Sequence, residues 1–394
     1  MKDTAELKLV EQEVIQTDMR GLFRGAVNMM LETVLEEAVL ELCGAAKGAR
    51  GPRKDFRNGS YLRGLLTSMG HLEVRVPRTR ESGSAADVLG RYKRRTQELD
   101  ETITSAYVHG ISTRDMSELT KSLMGEDVSR STVSRVTKKL GENVEALRNA
   151  PIEGPMPYLF LDATFLDARW ARRVENVAAL VAYGVGMDGK RQLLAVTIGA
   201  QESEESWSEL LSQLTDRGLH GVQLVVADEH KGIAAAVRKH LPEAERQRCT
   251  VHFMRNVLSH SPTRIRKRLA SELSAIFKAK SAADAKKAKA EFENRWAKQV
   301  PEAVECLKNG FAAATRYFAL PKQHWKRIRS TNGVERLHVE IKRRTRAVGA
   351  FPDRASALRL VTAVVLHATA IWSDRRYLDM DQLTDNDKEL HQAA

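Results

Sequence analysis

Apolar and polar positions divide the chain into stretches of different period. Over residues 18–44, Leu22, Val27, Met30, Leu31, Val34, Leu35, Val39 and Leu42 recur at helical spacing. A helix apolar around so much of its circumference is expected to be buried, in its own core or against a second subunit. In MGHLEVRVPRTR the alternation is strict, with Leu72, Val74 and Val76 on one side and Glu73 and Arg75 on the other. That period predicts a half-exposed strand, ended by Pro77. Residues 97–140 return to helical spacing with one break. Ser112 or Thr113 caps a helix with an apolar stripe of Met116, Leu119 and Leu123, Gly125 interrupts it, and Ser129 caps a second helix.

From about residue 156 the pattern becomes strand-like. MPYLFLDATFLDARW, ENVAALVAYGVGMDG and KRQLLAVTIGA are three runs, with a hairpin turn at Asp188-Gly189. SEESWSELLSQLTDRG follows as a helix opened by Ser203 and closed by Gly218. VQLVVAD then suits a central strand covered on both faces, and KGIAAAVRKHL begins the next helix. Strand, strand, strand, helix, strand, helix is the order of a ribonuclease H-like fold, an α/β architecture with a mixed sheet flanked by helices. Residues 263 to 320 are helix formers and charges, with Leu269, Leu273, Ile276, Phe277, Phe292 and Trp296 at helical intervals, so an all-helical insertion is expected. A last helical region covers 353–374, followed by an acidic tail.

Charge narrows the partner. The 63 Lys and Arg against 51 Asp and Glu leave a net charge of +12, which points to a polyanion such as nucleic acid. KGARGPRKDFRNGSYLR reads as a loop that lies on phosphate. The two helices around Gly125 fit a helix-turn-helix, with Ser131, Thr132, Arg135 and Lys138 early enough in the second to meet DNA. Three scattered cysteines give no disulfide framework, the charged N-terminus is unlike a signal peptide, and no apolar run is long enough to span a bilayer. A cytoplasmic, nucleoid-associated protein with no membrane partner is expected.

Three acids carry the candidate chemistry. Asp162 interrupts an apolar strand and Asp228 ends another, positions that are costly for a carboxylate without a partner. Carboxylates on neighbouring strand ends repel each other and call for a proton or a hard divalent cation. Glu335 lies one turn inside a helix surrounded by Arg329, Arg336, Lys342, Arg343 and Arg344, cations suited to holding a DNA strand. Glu340 is its rival on the residues alone, projecting about 140° around the same helix. Glu229 is a rival beside Asp228. An all-oxygen ligand set implies Mg²⁺, with Mn²⁺ fitting nearly as well. Trp296 and Trp325 are candidates for stacking on a splayed base.

Several motifs occur in one order: FRNGSYLR, MGHLEVRVPR, GISTRDMSELTKSLMGEDVSRSTVSRVT, LFLDATFLDAR, VVADEHKGI, RCTVHFMRNV and RSTNGVERLHVEIKRRTRAVGAFP. Together they resemble the Mutator-like transposases of bacterial insertion sequences over nearly the whole chain. The resemblance implies a DDE transposase with a ribonuclease H-like core, interrupted by helices between the second Asp and the Glu. Carried over, its acids are Asp162, Asp228 and Glu335, and Cys249, His252 and Asn332 are their neighbours. It implies action on double-stranded DNA, at terminal inverted repeats and at a target, by a homodimer or larger oligomer.

The expected organisation is an N-terminal helical and strand region at 1–96 and a helix-turn-helix at 97–150. The core spans 151–262, the insertion 263–322, the Glu helix 323–350, and the C-terminal helix and tail 351–394. The competing readings are a catalytically inactive DNA-binding regulator and a ribonuclease H-like nuclease.

Overall fold

The computed structural model describes residues 3–49, 52–81, 85, 88–90, 93–170 and 173–383, with the backbone alone described for 3–18, 20 and 170. The acidic tail beyond 383 lies outside the described residues. The chain divides into two compact units, residues 1–138 and 139–394.

In the N-terminal unit, helix α1 (Asp3–Cys43) lies against an antiparallel hairpin of β1 (Arg57–Thr67) and β2 (Gly70–Thr79). The alternation of β2 is as expected: Leu72, Val74 and Val76 are buried with Leu35 and Val39 of α1, while Glu73 and Arg75 face outward. Two details differ from the sequence pattern. RNGSYLR belongs to strand β1 and not to a loop, because its ladder to β2 supplies the partners that its local composition does not advertise. Pro77 does not end β2; it pairs with Ser60 beside a register irregularity, where its missing N–H is tolerated. Helix α1 buries only one side, leaving Leu22, Met29 and Met30 about 70% exposed.

Helices α2 (Gln97–Val108), α3 (Thr113–Met124) and α4 (Arg130–Thr137) enclose a second small core of Leu99, Ile103, Met116, Val133 and Val136. Ser112 and Ser129 cap α3 and α4, and Gly125 closes α3 at a φ of 76° that favours glycine. Leu123 is exposed, and Thr120 and Met124 share the buried face with Met116.

The C-terminal unit begins with α5 (Leu140–Asn149). Its sheet is built from β3 (Tyr158–Trp170), β4 (Arg173–Val185), β5 (Arg191–Gly199), β6 (Leu224–Ala227) and β7 (Glu245–Arg248). The strand order is β5-β4-β3-β6-β7, antiparallel among the first three and parallel from β3 to β7. Leu159 and Leu161 of β3 pack on one face with Trp207 of α6 (Glu204–Asp216) and Ile233 of α7 (Lys231–His240). Phe160 points to the other face, where it stacks on Tyr183 at 4.5 Å, and strand alternation puts Asp162 there too.

Helix α8 (Thr250–Ser259) leads into α9 (Thr263–Ile276), α10 (Ala282–Trp296) and α11 (Pro301–Ala314), which share one core. Trp296 is part of it, 2% exposed, with its indole N–H donated to Glu272. It is therefore not available to stack on a base. Trp325, in the short α12 (Trp325–Ile328), packs edge-on against Tyr317 and Phe318 and donates to the Leu320 carbonyl. The chain returns to the sheet through α13 (Asn332–Thr345), which contacts β3, and ends in α14 (Arg354–Thr369). Among the described residues, no helix is long and apolar enough to cross a membrane.

Candidate active site

Sheet register brings the two aspartates together. Tyr158 pairs with Leu224, Leu159 with Val225 and Phe160 with Val226, a constant offset of 66. Continued by two residues, that offset sets Asp162 beside Asp228, just past the end of β6. Asp162 is 7% exposed, and its Oδ1 accepts the Ala163 N–H at 3.0 Å. Its Oδ2 is buried with no hydrogen-bond partner. Burial pushes its pKa up from 3.8 to about 7, and the nearby Asp228 and Glu335 push the same way while His252 opposes them. Asp228 accepts the Glu229 N–H at 2.7 Å.

The third acid arrives on α13. Glu335 lies in its first turn, where the helix dipole favours a carboxylate, and Lys342 and Arg343 lie in its last. His252, in the first turn of α8, stands between acids: its Nδ1 is 3.7 Å from Asp228 Oδ2 and its Nε2 3.2 Å from Glu335 Oε1. Arg255, one turn further along α8, is also 3.2 Å from Glu335 Oε1. Hydrogen bonds donated to Cys249 and Glu335 raise the His252 pKa from 6.5 to about 10, so the ring is an imidazolium at neutral pH. His252 in turn holds the Glu335 carboxyl below its ordinary range.

Cys249 caps α8 and is fully buried. Burial opposes its thiolate, but hydrogen bonds from His252 and Thr331 outweigh that and bring the thiol below 9.0. His338, three residues after Glu335, completes the cluster with Nδ1 3.6 Å from Asp162 Oδ2. Burial lowers its pKa to about 4, with Lys342 adding to the effect, so it meets Asp162 as a neutral imidazole.

The rival acids are engaged elsewhere. Glu340 pairs with Arg343 and Arg344, and Glu229 with Arg246 and Arg248.

The donor chemistry suits a hard divalent cation, since Asp162 Oδ2 is a buried carboxylate oxygen without a hydrogen-bond partner. No preformed cage of three His, Cys, Asp or Glu ligands exists among the described residues, and His252 lies among the carboxylates.

Comparison with known proteins shows the family of the chain. The family described as "Transposase, Mutator family" matches residues 1–374. The chain belongs to that family. It is 38% identical over 386 residues, 97% of each chain, to the transposase for insertion sequence element ISRM5 of Rhizobium meliloti (strain 1021). It is 36% identical over 335 residues to the transposase for insertion sequence element IS256 in transposon Tn4001 of Staphylococcus aureus, covering 84% of this chain and 86% of that one. Against the transposase for insertion sequence element IS1081 of Mycobacterium tuberculosis (strain ATCC 25618 / H37Rv), identity is 35% over 370 residues, 92% of this chain and 88% of the relative.

The polar and basic residues that the sequence marks as DNA contacts or site neighbours fall into two groups. In the N-terminal unit, Ser131, Arg135 and Lys138 are exposed and Thr132 is half-buried. In the C-terminal unit, Arg336, Lys342 and Arg343 are exposed on α13, and Asn332 is exposed at its start. Arg344 instead is buried, 6% exposed, and reaches Glu340, so it is not presented to a ligand as the others are. Arg329 is half-buried and donates to the Phe277 carbonyl at 3.0 Å.

Sequence reasoning passed over His338 and Arg255. Both carried a signal: each follows a site residue, Glu335 or His252, by three positions, which puts it on the same helix face.

Proposed function

We propose that the chain is a DNA transposase of the DDE type, cutting and joining DNA at Asp162, Asp228 and Glu335 on a ribonuclease H-like core. The observation that carries this reading is the meeting of three acids from β3, the end of β6 and α13 around His252. The sheet order supports the fold assignment, three antiparallel strands followed by two parallel ones.

Asp162, Asp228 and Glu335 would hold Mg²⁺, or Mn²⁺ in its place. When bound, the two divalent cations of such a site activate an attacking water or 3′-hydroxyl and stabilise the leaving oxygen. Asp162 brings an unpartnered carboxylate oxygen, Glu335 stays ionised beside His252 and Arg255, and His338 lies neutral against Asp162. The His252 imidazolium lies between Asp228 and Glu335 and offsets their charge. The exposed Arg336, Lys342 and Arg343 hold the phosphates of the strand being cut.

Helices α3 and α4 act as a helix-turn-helix that binds the element's terminal inverted repeats, with Ser131, Arg135 and Lys138 on its open face. The exposed side of α1 joins two copies, which lets one assembly hold two DNA ends.

The test is cleavage and joining of a labelled duplex carrying the element's end, with and without Mg²⁺. Metal-dependent joining is expected from the wild type and from Glu340→Ala, and none from Asp162→Ala, Asp228→Ala or Glu335→Ala. Binding without cleavage by the wild type would make the chain a regulator, and cleavage without joining a nuclease.

A further inference from the structure

The C-terminal unit contains a cavity of about 550 Å³. Its walls come from the first turn of α13, from α8, from the end of α9 and from residues 375–377, which follow α14. Eight of the lining residues are Lys or Arg, and none is Asp or Glu. The helix that supplies Gly333 and Arg336 to this wall also carries Glu335, and the one that supplies Thr250, Val251 and Met254 carries His252.

Several of these cations are held in place. The Arg191 guanidinium lies over the Trp372 ring at 4.1 Å and the Tyr377 ring at 4.5 Å, and Arg327 lies over Tyr377 at 4.9 Å. Burial lowers the pKa of Arg191, and Arg327 and Arg336 push it the same way, as expected of crowded like charges. Of the eight, Arg376 has carboxylate partners in Asp379 and Asp381, both outside the lining. Lys278, Arg327 and Arg375 are exposed. Positive charge focused in a concave site attracts a polyanion.

Size selects among polyanions. A volume in the roughly 300–1,000 Å³ range encloses a small ligand, whereas a duplex with a major groove of about 12 Å is far too wide to enter. One or two unpaired nucleotides are of suitable size, and guanidinium planes offer surfaces for their bases.

We propose that this cavity receives one or two unpaired nucleotides of the DNA strand running past the acids, with Lys278, Arg327 and Arg375 taking its phosphates. The inference rests on the proposed transposase reading and adds to it a single-strand subsite whose phosphate contacts, Lys278, Arg327 and Arg375, that reading does not use.

The test uses the full chain in EDTA, so that catalysis plays no part. Fluorescence anisotropy measures affinity for a labelled duplex of the element's end, either blunt or with a three-nucleotide unpaired tail. Wild type should bind the tailed duplex about tenfold more tightly, the size expected of one stacked base. The triple variant Lys278→Gln/Arg327→Gln/Arg375→Gln should lose that preference and keep its affinity for the blunt duplex. Its salt dependence on the tailed duplex should be shallower by about 2 in logarithmic slope, at roughly 0.7 per phosphate contact. Thermal melting of the variant at the wild-type temperature would establish that its fold is intact, as expected for three exposed positions. Equal weakening on both DNAs would overturn the proposal, since it would make the cations a general attractor. Tight duplex binding by wild type with no gain from the tail would overturn it and leave the transposase reading standing. Failure of wild type to bind either DNA would remove both.

Discussion

Thr331 donates both its backbone N–H and its hydroxyl to Cys249 Sγ, each at 3.4 Å. The two residues are 82 apart in sequence, and each stands at the N-cap of a helix, Cys249 before α8 and Thr331 before α13. The Thr250 N–H, donated to the Arg329 carbonyl at 3.0 Å, reinforces the join. His252 and Glu335 each follow within one turn, so the contact fixes the spacing between them. Cys249→Ala should be more harmful than Thr331→Val. It leaves both donors of Thr331 buried without a partner, at about 1–3 kcal/mol, whereas Thr331→Val removes one donor and costs about 1 kcal/mol. Both should slow strand joining more than they weaken DNA binding. Urea denaturation and the joining assay check this; a Cys249→Ala protein as stable and active as wild type would show that the contact positions nothing.

A close approach behind α13 leads to a second prediction. A Cβ on Gly333 would lie 2.5 Å from Tyr183 Oη, and Tyr183 is fully buried between Phe160 and Trp372. The ring has no room to retreat. Gly333→Ala alone should therefore cost about 1–3 kcal/mol, despite alanine's better helix propensity. Tyr183→Phe removes a hydroxyl that has no hydrogen-bond partner and should be nearly neutral. The double variant should recover most of the lost stability, a coupling that equilibrium unfolding of the four proteins measures directly. Additive costs would mean that the crowding lies elsewhere.

Those two contacts also mark where the sequence stops informing. Asp162 and Asp228 stand out because a carboxylate in an apolar strand is expensive, and strand register then brings them side by side. The caps at Ser112, Ser129 and Ser203 are local chemistry and are legible for the same reason. What fails is whatever depends on a distant partner. RNGSYLR becomes a strand only because β2 lies beside it, and Trp296 turns inward because Glu272, 24 residues away, accepts its indole N–H. Arg344 looks like another exposed cation until the position of Glu340 and the turn of α13 draw it in. The role of Thr331 is hidden because its partner lies on another helix.

His324 gives a pH dependence with a defined sign. It is 1% exposed, with Nδ1 2.8 Å from Tyr158 Oη and Nε2 2.7 Å from the Asp379 carbonyl. The neutral ring satisfies both, donating from Nε2 to the carbonyl and accepting the tyrosine proton at Nδ1. Burial lowers its pKa below 6.5 in the folded protein. Between the lowered value and 6.5 the unfolded chain binds more protons, so the neutral His324 contributes its full stability above 6.5 and loses it as pH falls through that window. The urea midpoint should decline from pH 7.5 to pH 5.5 more steeply for wild type than for His324→Gln. Parallel declines in the two proteins would assign the effect to other groups.

The outer side of α1 makes the last prediction. Leu22, Met29, Met30 and Leu40 are exposed, and at 100° per residue they fall within one band of the helix, opposite Leu31, Leu35 and Val39, which face the hairpin. A soluble surface rarely keeps several large apolar side chains uncovered on one helix face, and such a face can pair with its own copy about a two-fold axis. Leu22→Glu/Met30→Glu places charge in that band without touching the core, since both side chains are largely exposed. Sedimentation should show wild type as a dimer at micromolar concentration and the variant as a monomer with an unchanged circular dichroism spectrum. Joining of two DNA ends should be lost while binding to a single end is kept, because only the paired reaction needs two copies. A variant that remains dimeric would place the interface elsewhere, and a wild type that is monomeric with and without DNA would leave this face of α1 without a partner of its own kind.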